Sequence, residues 1–410
     1  MMNYNLKKIF TLLFVLLIFV SSCDKESISV EPNITISTSI DALAVSLKGD
    51  ITDESNIITE LVITWGDNNT SIIASNDFER QHSYSKPGNY TIVVKAKQNS
   101  DVIITKKTTI DINYKETNLD NIKTNLFKKN NKEYLILTIN LHTYQELQQD
   151  KKFNLLVDLI GKMDVDFIVF QECAQNKSST INNGIIREDN MALIITDRIR
   201  EKYDTNYNYV WDWAHYGWNI WEEGVAVLSK HNRISTDSRY ISTNTNTSNI
   251  TSRKTIYGSY QLQDGNLNLF SVHTHWRTSL TDDEQNNQIL SIQQMVDEKE
   301  ITNNSIATFV CGDFNVNPTS GYPWSEGYNL MMQNNIYTDT YLNIYPDANN
   351  IPTQSIHNTI GGEYPGRIDY IFMKNNSSFE VVESQIVFTE DVVGRVSDHY
   401  GVLTKIKFIN

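Results

Sequence analysis

The run FVCGDFNVNP, Phe309 to Pro318, carries an apolar, strand-like stretch onto a carboxylate, Asp313, and then an amide, Asn315. Polar groups inside apolar runs are costly to bury unless they are paired or put to use. The arrangement recurs along the chain. Asn140 and His142 close YLILTINLH, Glu172 closes DFIVFQEC, and His273 and His275 close NLNLFSVHTH. Asp369 lies in GRIDYIFM, and Asp398 and His399 lead into GVLTKIKF. Oxygen donors such as Glu172 and Asn140, with no thiolates among them, suit a hard cation such as Mg2+ or Mn2+. The histidines can move protons near neutral pH, and a carboxylate such as Asp369 can orient an imidazole and stabilise its charged form. Cation, amides and imidazoles together could neutralise the charge of a phosphate undergoing substitution, where catalysis is mostly positioning and electrostatics.

The elements that must position these groups read as strands with a few helices between them. From Glu133 onward, strand-like runs alternate with helical spacing in KKFNLLVDLIGKM and NMALIITDRIREKY. Thr281 with Glu284 forms a capping box ahead of QNNQILSIQQMVDEK. This texture predicts an α/β catalytic domain over residues 132–410, built as a two-sheet sandwich. From about residue 30 to 113 the pattern is instead short alternating runs (LAVSL, ELVITW, YTIVVKA, DVIITKKTTIDI), the spacing of a small all-β sandwich. Residues 114–131, polar and rich in lysine and asparagine, read as a linker.

The chain has 410 residues and a formal net charge of −14, room for two domains and a poor match to a protein that coats nucleic acid. Lys7 and Lys8 precede an apolar run from Ile9 to Val20 that is too short to span a bilayer and reads as a targeting segment. Ending in VSSC, it resembles a bacterial lipoprotein signal, which implies removal of residues 1–22, lipidation of Cys23 and anchoring to the outer membrane in the bacterial envelope. An ordinary cleaved signal is the alternative. Cys173 and Cys311 end apolar runs and read as small buried hydrophobes.

Two family resemblances follow from quoted residues. WGDNN (Trp65 to Asn69) followed by HSYSKPGNYTIVV (His82 to Val94) resembles the PKD domain, in which Asp67 and His82 would serve turns rather than catalysis. The ordered set TIN, QE, GVAVLS, TH, GDFN, RIDYIF and SDH, spanning residues 138–399, resembles the endonuclease/exonuclease/phosphatase superfamily. That resemblance implies the following roles. Glu172 and Asn140 hold the metal, with Asp398 beside it. Asp313 orients or deprotonates the attacking water, and Asn315 binds a phosphoryl oxygen. His399 transfers a proton and is paired with Asp369. His275 contacts the phosphate or protonates the leaving group, with Glu223 orienting it. Arg253, in TSRKTIYG, lies near the substrate phosphate. His273 competes with His275 for one position, and His142 stands where several members carry an acidic residue.

The insertion YVWDWAHYGWNIWEEG, Tyr209 to Gly224, is dense in aromatics, so Trp211, His215 and Trp218 are candidates to contact a sugar ring, a base or a lipid headgroup. Packing as a lid over the core is the alternative. The pattern resembles members acting on small phosphorylated compounds. The expectation is an exported, Mg2+-dependent phosphoesterase acting on a small or headgroup-sized ester. A secreted nuclease, a sphingomyelinase-like phospholipase and an inactive surface-binding lipoprotein are the competing readings. The sequence does not set the oligomeric state, and a monomer is the default.

Overall fold

The computed structural model describes residues 31–409 apart from 75, 303–304 and 351–355, so the targeting segment and Cys23 lie outside the described residues. The chain divides into two compact units, Met1–Ile112 and Asn113–Asn410.

The first unit is all β. Its strands are β1 (Asn33–Asp41), β2 (Ala44–Thr52), β3 (Glu60–Thr64), β4 (Thr70–Ile73), β5 (Phe78–Ser83), β6 (Gly88–Gln98) and β7 (Asp101–Ile112). They form a β1-β2-β5 sheet and a β4-β3-β6-β7 sheet around one core that includes Val45, Leu47, Leu61, Ile63, Ile92 and Val94. Alternation explains the register: every second residue of VSLKG and TIVVKA is buried. Asp67 and His82 meet at 2.7 Å, His82 stacks on buried Trp65, and Asp67 also accepts the Asn69 backbone N–H. These contacts close a turn.

The second unit contains, in order, β8 (Glu133–Asn140), α1 (Gln149–Met163), β9 (Phe167–Asn176), β10 (Ile181–Asn183), β11 (Ile186–Arg187), α2 (Met191–Tyr203), β12 (Asn208–Gly217), β13 (Trp221–Ser229), β14 (Asn232–Tyr240), β15 (Lys254–Gln261) and β16 (Asn266–His273). It continues with α3 (Glu284–Thr302), β17 (Ser305–Asp313), α4 (Glu326–Met332), β18 (Tyr337–Asp339), α5 (Thr340–Ile344), β19 (Asp369–Lys374), β20 (Phe379–Val387) and β21 (Gly401–Phe408). Two six-stranded mixed sheets result, ordered β12-β13-β9-β8-β21-β20 and β14-β15-β16-β17-β19-β18. Only the β8–β9 and β16–β17 pairs within them are parallel.

The central strands β8, β9, β17 and β19 are buried at nearly every residue because both faces are covered. On β8, Leu135, Leu137 and Ile139 join Phe153, Leu156 and Ile160 of α1. Tyr134 and Ile136 instead meet Leu269, Phe309 and Ile371 of the other sheet. On the far side, Phe270, Val272 and Val310 pack against Ile289, Ile292 and Met295 of α3. The order is helices, sheet, sheet, helices.

Two expectations are modified. Residues 114–131 are not a free linker: Ile122 and Leu126 are buried in the helix-side core, and Thr117 donates to Asp158 at 2.5 Å. At the start of α3 it is Asp282, not Thr281, that accepts the Glu284 N–H, while the Glu284 carboxylate takes the Thr243 N–H at 2.9 Å. Cys173 and Cys311 are buried free thiols.

Candidate active site

Strand direction sets the location of the site. The C-terminal ends of β8, β9, β16 and β17 lie at one end of the sandwich: each parallel pair aligns its own two ends, and the Asn140–Asp313 hydrogen bond joins the pairs across the sheets. The N-terminal ends of β13, β15, β19 and β21 arrive there too, since each runs antiparallel to one of them. Alternation then aims side chains into the gap between the sheets. Asn140 follows Ile136 and Thr138 on the inner face, Asp313 follows Phe309 and Cys311, and Asp369 precedes Ile371.

Glu172 reaches this gap by another route. Inner positions on β9 are Phe167 and Val169, whereas Ile168 and Phe170 face the helices, so simple alternation would send Glu172 outward. Its backbone is left-handed instead (φ 46°), and the β13 pairing shifts register at this point. A bulge that re-aims one side chain beside a functional site is a common device, and a non-glycine residue held at positive φ is strained.

The inner residues meet. Asn140 Nδ2 donates to Glu172 Oε1 at 2.9 Å and to Asp313 Oδ2 at 3.0 Å. His273 Nε2 lies 3.6 Å from Asp313 Oδ2 and 3.9 Å from Glu172 Oε1. His399 Nδ1 is 2.9 Å from Asp369 Oδ2, and its Nε2 is 3.8 Å from Asp313 Oδ2. The Asn315 backbone N–H donates to Asp313 Oδ1 at 2.8 Å, and the Asn315 side chain donates to the Thr274 carbonyl.

Crowding buried carboxylates raises their affinity for protons. Burial, then the neighbouring Asp369 charge, pushes Asp313 up to about 7. Burial, then Glu223, pushes Glu172 up to about 8. His399 goes the other way from a lone buried imidazole. Burial disfavours its charge, but Asp369 and Asp313 together raise it to about 10. Burial and then the Arg253 charge hold His273 well below its usual value, so it stays neutral.

This donor set fits a divalent cation. Glu172, His273 and Asp313 place a ligand atom each within 4.8 Å of one another, and mutual carboxylate repulsion is what a cation would relieve. The oxygen of the Asn140 amide accepts the His142 N–H at 2.9 Å, so its nitrogen spaces the two carboxylates. Turning the amide over would set oxygen against oxygen, which is favourable only with a cation between them.

Several expected residues sit elsewhere than predicted. His273, not His275, joins the cluster: β16 ends at His273, alternation stops, and the His275 N–H turns to Gln288 Oε1 at 2.7 Å. Glu223 pairs with His215 at 3.1 Å rather than with His275, because the β12–β13 register sets His215 directly opposite it. Trp211 is a core residue, 4 % exposed, donating to the Cys173 carbonyl at 2.7 Å, so it is not placed to contact a substrate. His215 is equally buried, its Nδ1 3.0 Å from the Ser252 carbonyl oxygen. Arg253 is buried beside it, with Nη1 3.2 Å from the His215 ring. Trp218 is exposed and edges onto the His142 ring. Asp398 lies outside the buried cluster, 3.4 Å from His142 Nδ1, which is itself 2.8 Å from Glu146.

Sequence reasoning passed over Thr143 altogether. Residues 142–144 are all left-handed, and this fold-back delivers Thr143 Oγ1 to Glu223 Oε2 at 2.8 Å. A polar residue directly after the Asn140–His142 turn offered no sequence signal for that reach.

The Endonuclease/Exonuclease/phosphatase family model matches residues 137–399. Among solved structures, a family protein from Leptotrichia buccalis is 25% identical, with a TM-score of 0.57 over 67% of this chain and 100% of its own. A family protein from Beutenbergia cavernae is 16% identical, with a TM-score of 0.50 over 68% of this chain and 72% of its own. The curated proteins give no sequence match.

Proposed function

The chain belongs to the endonuclease/exonuclease/phosphatase family, and from that premise we propose that it is a divalent-cation-dependent phosphoesterase acting on a small or headgroup-sized phosphate ester. The convergence of Asn140, Glu172, His273, Asp313, Asp369 and His399 from separate strand ends carries this reading.

Glu172, Asp313 and His273 would hold the cation, Mg2+ or Mn2+. When bound, it polarises the phosphoryl group and offsets developing negative charge. Asp313, fixed by the Asn315 N–H and the Asn140 amide, orients the attacking water and accepts its proton. His399, kept cationic by Asp369, faces Asp313 and donates from Nε2 to a phosphoryl oxygen. His273, kept neutral by burial and the Arg253 charge, would offer its Nε2 lone pair to the cation from the end of β16. Arg253, Glu223 and His215 form a buried wall behind it, and Asp398 with His142 and Trp218 forms the rim. The net charge of −14 supports a small ester over a nucleic-acid polymer.

We also propose export with lipid attachment at Cys23, and a PKD-like spacer role for the first unit. Both readings rest on the sequence. Palmitate labelling of wild type against Cys23→Ser tests the attachment.

The catalytic test compares Mg2+-dependent hydrolysis of chromogenic mono- and diesters with a Glu172→Gln control. Metal-dependent turnover that the control abolishes is expected. Equal turnover by both proteins would refute the assignment.

A further inference from the structure

Beside the catalytic cluster lies a second cleft of about 700 Å3 whose walls the mechanism does not use. It is lined by the run TNTN (Thr243 to Asn246), by Thr251 and His275, and by the carboxylates of Asp282 and Glu284. Among the described residues no lysine, arginine or aliphatic side chain contributes to it.

The lining is built as well as polar. Asn244 Oδ1 accepts the Asn246 N–H at 2.8 Å, and Asn246 Oδ1 accepts the Ser248 N–H at 2.9 Å. These bonds occupy the amide oxygens and leave both Nδ2 groups as donors. Glu284 Oε1 takes the Thr243 N–H and the Gln288 amide, which ties the TNTN loop to α3 and leaves Oε2 as an acceptor. His275 is buried in the wall, its Nδ1 without a partner among the described residues.

Ligand chemistry follows from this inventory. Two carboxylates and no lysine or arginine disfavour a phosphate, and apolar surface supplied by threonine and other polar side chains, with no leucine, isoleucine or valine, gives a lipid tail little to bury against. Paired donors and acceptors along one wall match vicinal hydroxyls. Position favours the same conclusion. His275 lies two residues beyond His273, and Thr251 two before Arg253. Two bonded residues on each side thus join the cleft to the catalytic cluster and to the wall behind it.

We propose that this cleft is a polyol subsite that binds the uncharged, polyhydroxylated part of the substrate, a sugar or cyclitol ring, while its phosphate occupies the Glu172–Asp313 centre. The assignment rests on the phosphoesterase reading and adds the substrate class to it.

The test compares Mg2+-dependent hydrolysis of glucose 6-phosphate and myo-inositol 1-phosphate with that of 4-nitrophenyl phosphate. Wild type, Asn246→Ala and Thr245→Trp are each checked for folding by thermal melting. Saturation-transfer NMR with free glucose and free myo-inositol provides a readout independent of turnover. The expected result is a polyol-ester KM raised on the order of tenfold in Asn246→Ala, the loss of one or two hydrogen bonds, with aryl-ester kcat unchanged. Saturation transfer to at least one polyol should be lost in Thr245→Trp. Aryl-ester turnover with no polyol preference, or with a preference that both variants retain, would overturn the subsite and leave the phosphoesterase reading intact. If no ester is hydrolysed, the phosphoesterase reading fails, and absent or variant-insensitive saturation transfer overturns the subsite as well.

Discussion

Replacing Asp369 by asparagine tests the electrostatics of the site most directly. The Asp369 backbone N–H and that of Ile368 both donate to Thr359 Oγ1, so the residue is pinned and the isosteric amide should sit where the carboxylate did. In the wild type, Asp369 is the largest influence raising the His399 imidazole and Asp313 the second, and together they overcome burial to reach about 10. The distance from the ordinary 6.5 to about 10 corresponds to roughly 5 kcal/mol of preference for the charged ring. With Asp369 neutral, the first-ranked of the raising influences goes, and His399 should titrate well below 10. The assay is pH titration of the His399 ring by NMR on metal-free protein in EDTA. A raised imidazole stabilises fully below its unfolded value near 6.5, and the benefit is lost as pH climbs through its folded value. Wild type should therefore lose stability to denaturant between pH 6.5 and 10, and that loss should be smaller in Asp369→Asn. With metal restored, kcat/KM should fall on the order of a hundred- to a thousand-fold, as for loss of a charged donor to the developing negative charge. A variant ring still titrating near 10 would refute the reasoning, because Asp313 alone would then suffice.

Glu172→Gln removes one of the mutually repelling carboxylates, whose cost accrues as pH rises from the ordinary 4.5 to about 8. In EDTA at pH 8.5 the variant should melt no lower than wild type, although its Mg2+-dependent turnover is lost. Asp166→Ala strips a buried carboxylate from Lys128, His231 and the Leu135 N–H, and should cost about 3–5 kcal/mol in urea unfolding. Burial notwithstanding, His231, Lys128 and Lys230 hold the Asp166 carboxyl below its usual range. Its stabilisation is thus full above about pH 4 and is lost as pH falls through the lowered value, which an acid titration of wild type against the variant would show. Gly224→Ala would set a methyl 2.0 Å from the Asp212 carbonyl oxygen on the neighbouring strand, and should lower the melting temperature markedly or abolish soluble expression.

Most of the framework is legible from apolar texture alone. The two-sheet domain could be read because strands covered on both faces are apolar at most positions, and YLILTIN, FVCGD and DYIFM each carry a polar residue at the end that meets the site. Residues 114–131 were harder to read. Their composition is that of a linker, yet two apolar side chains, Ile122 and Leu126, suffice to dock the segment. Such sparse anchors carry no periodicity, and only the surface they meet reveals them.

Within the site, legibility follows backbone regularity. Asn140, Asp313 and Asp369 lie in phase with the apolar residues of their strands, so alternation alone aims them inward. Glu172 breaks phase through a left-handed residue at a register shift, and the strain needed to hold it there can be offset only by what it contacts once inside. The same limit explains the exchange of histidines. Alternation treats His273 and His275 alike, but it holds only while β16 pairs with β17, and the last such pair is His273 with Asp313. That terminal pair sets an imidazole beside a carboxylate on the inner face of the second sheet. Two residues later the chain has turned, and His275 serves a different wall. A site made of strand ends thus depends on where pairing stops, which is fixed by contacts across the sheet and not by the residues themselves.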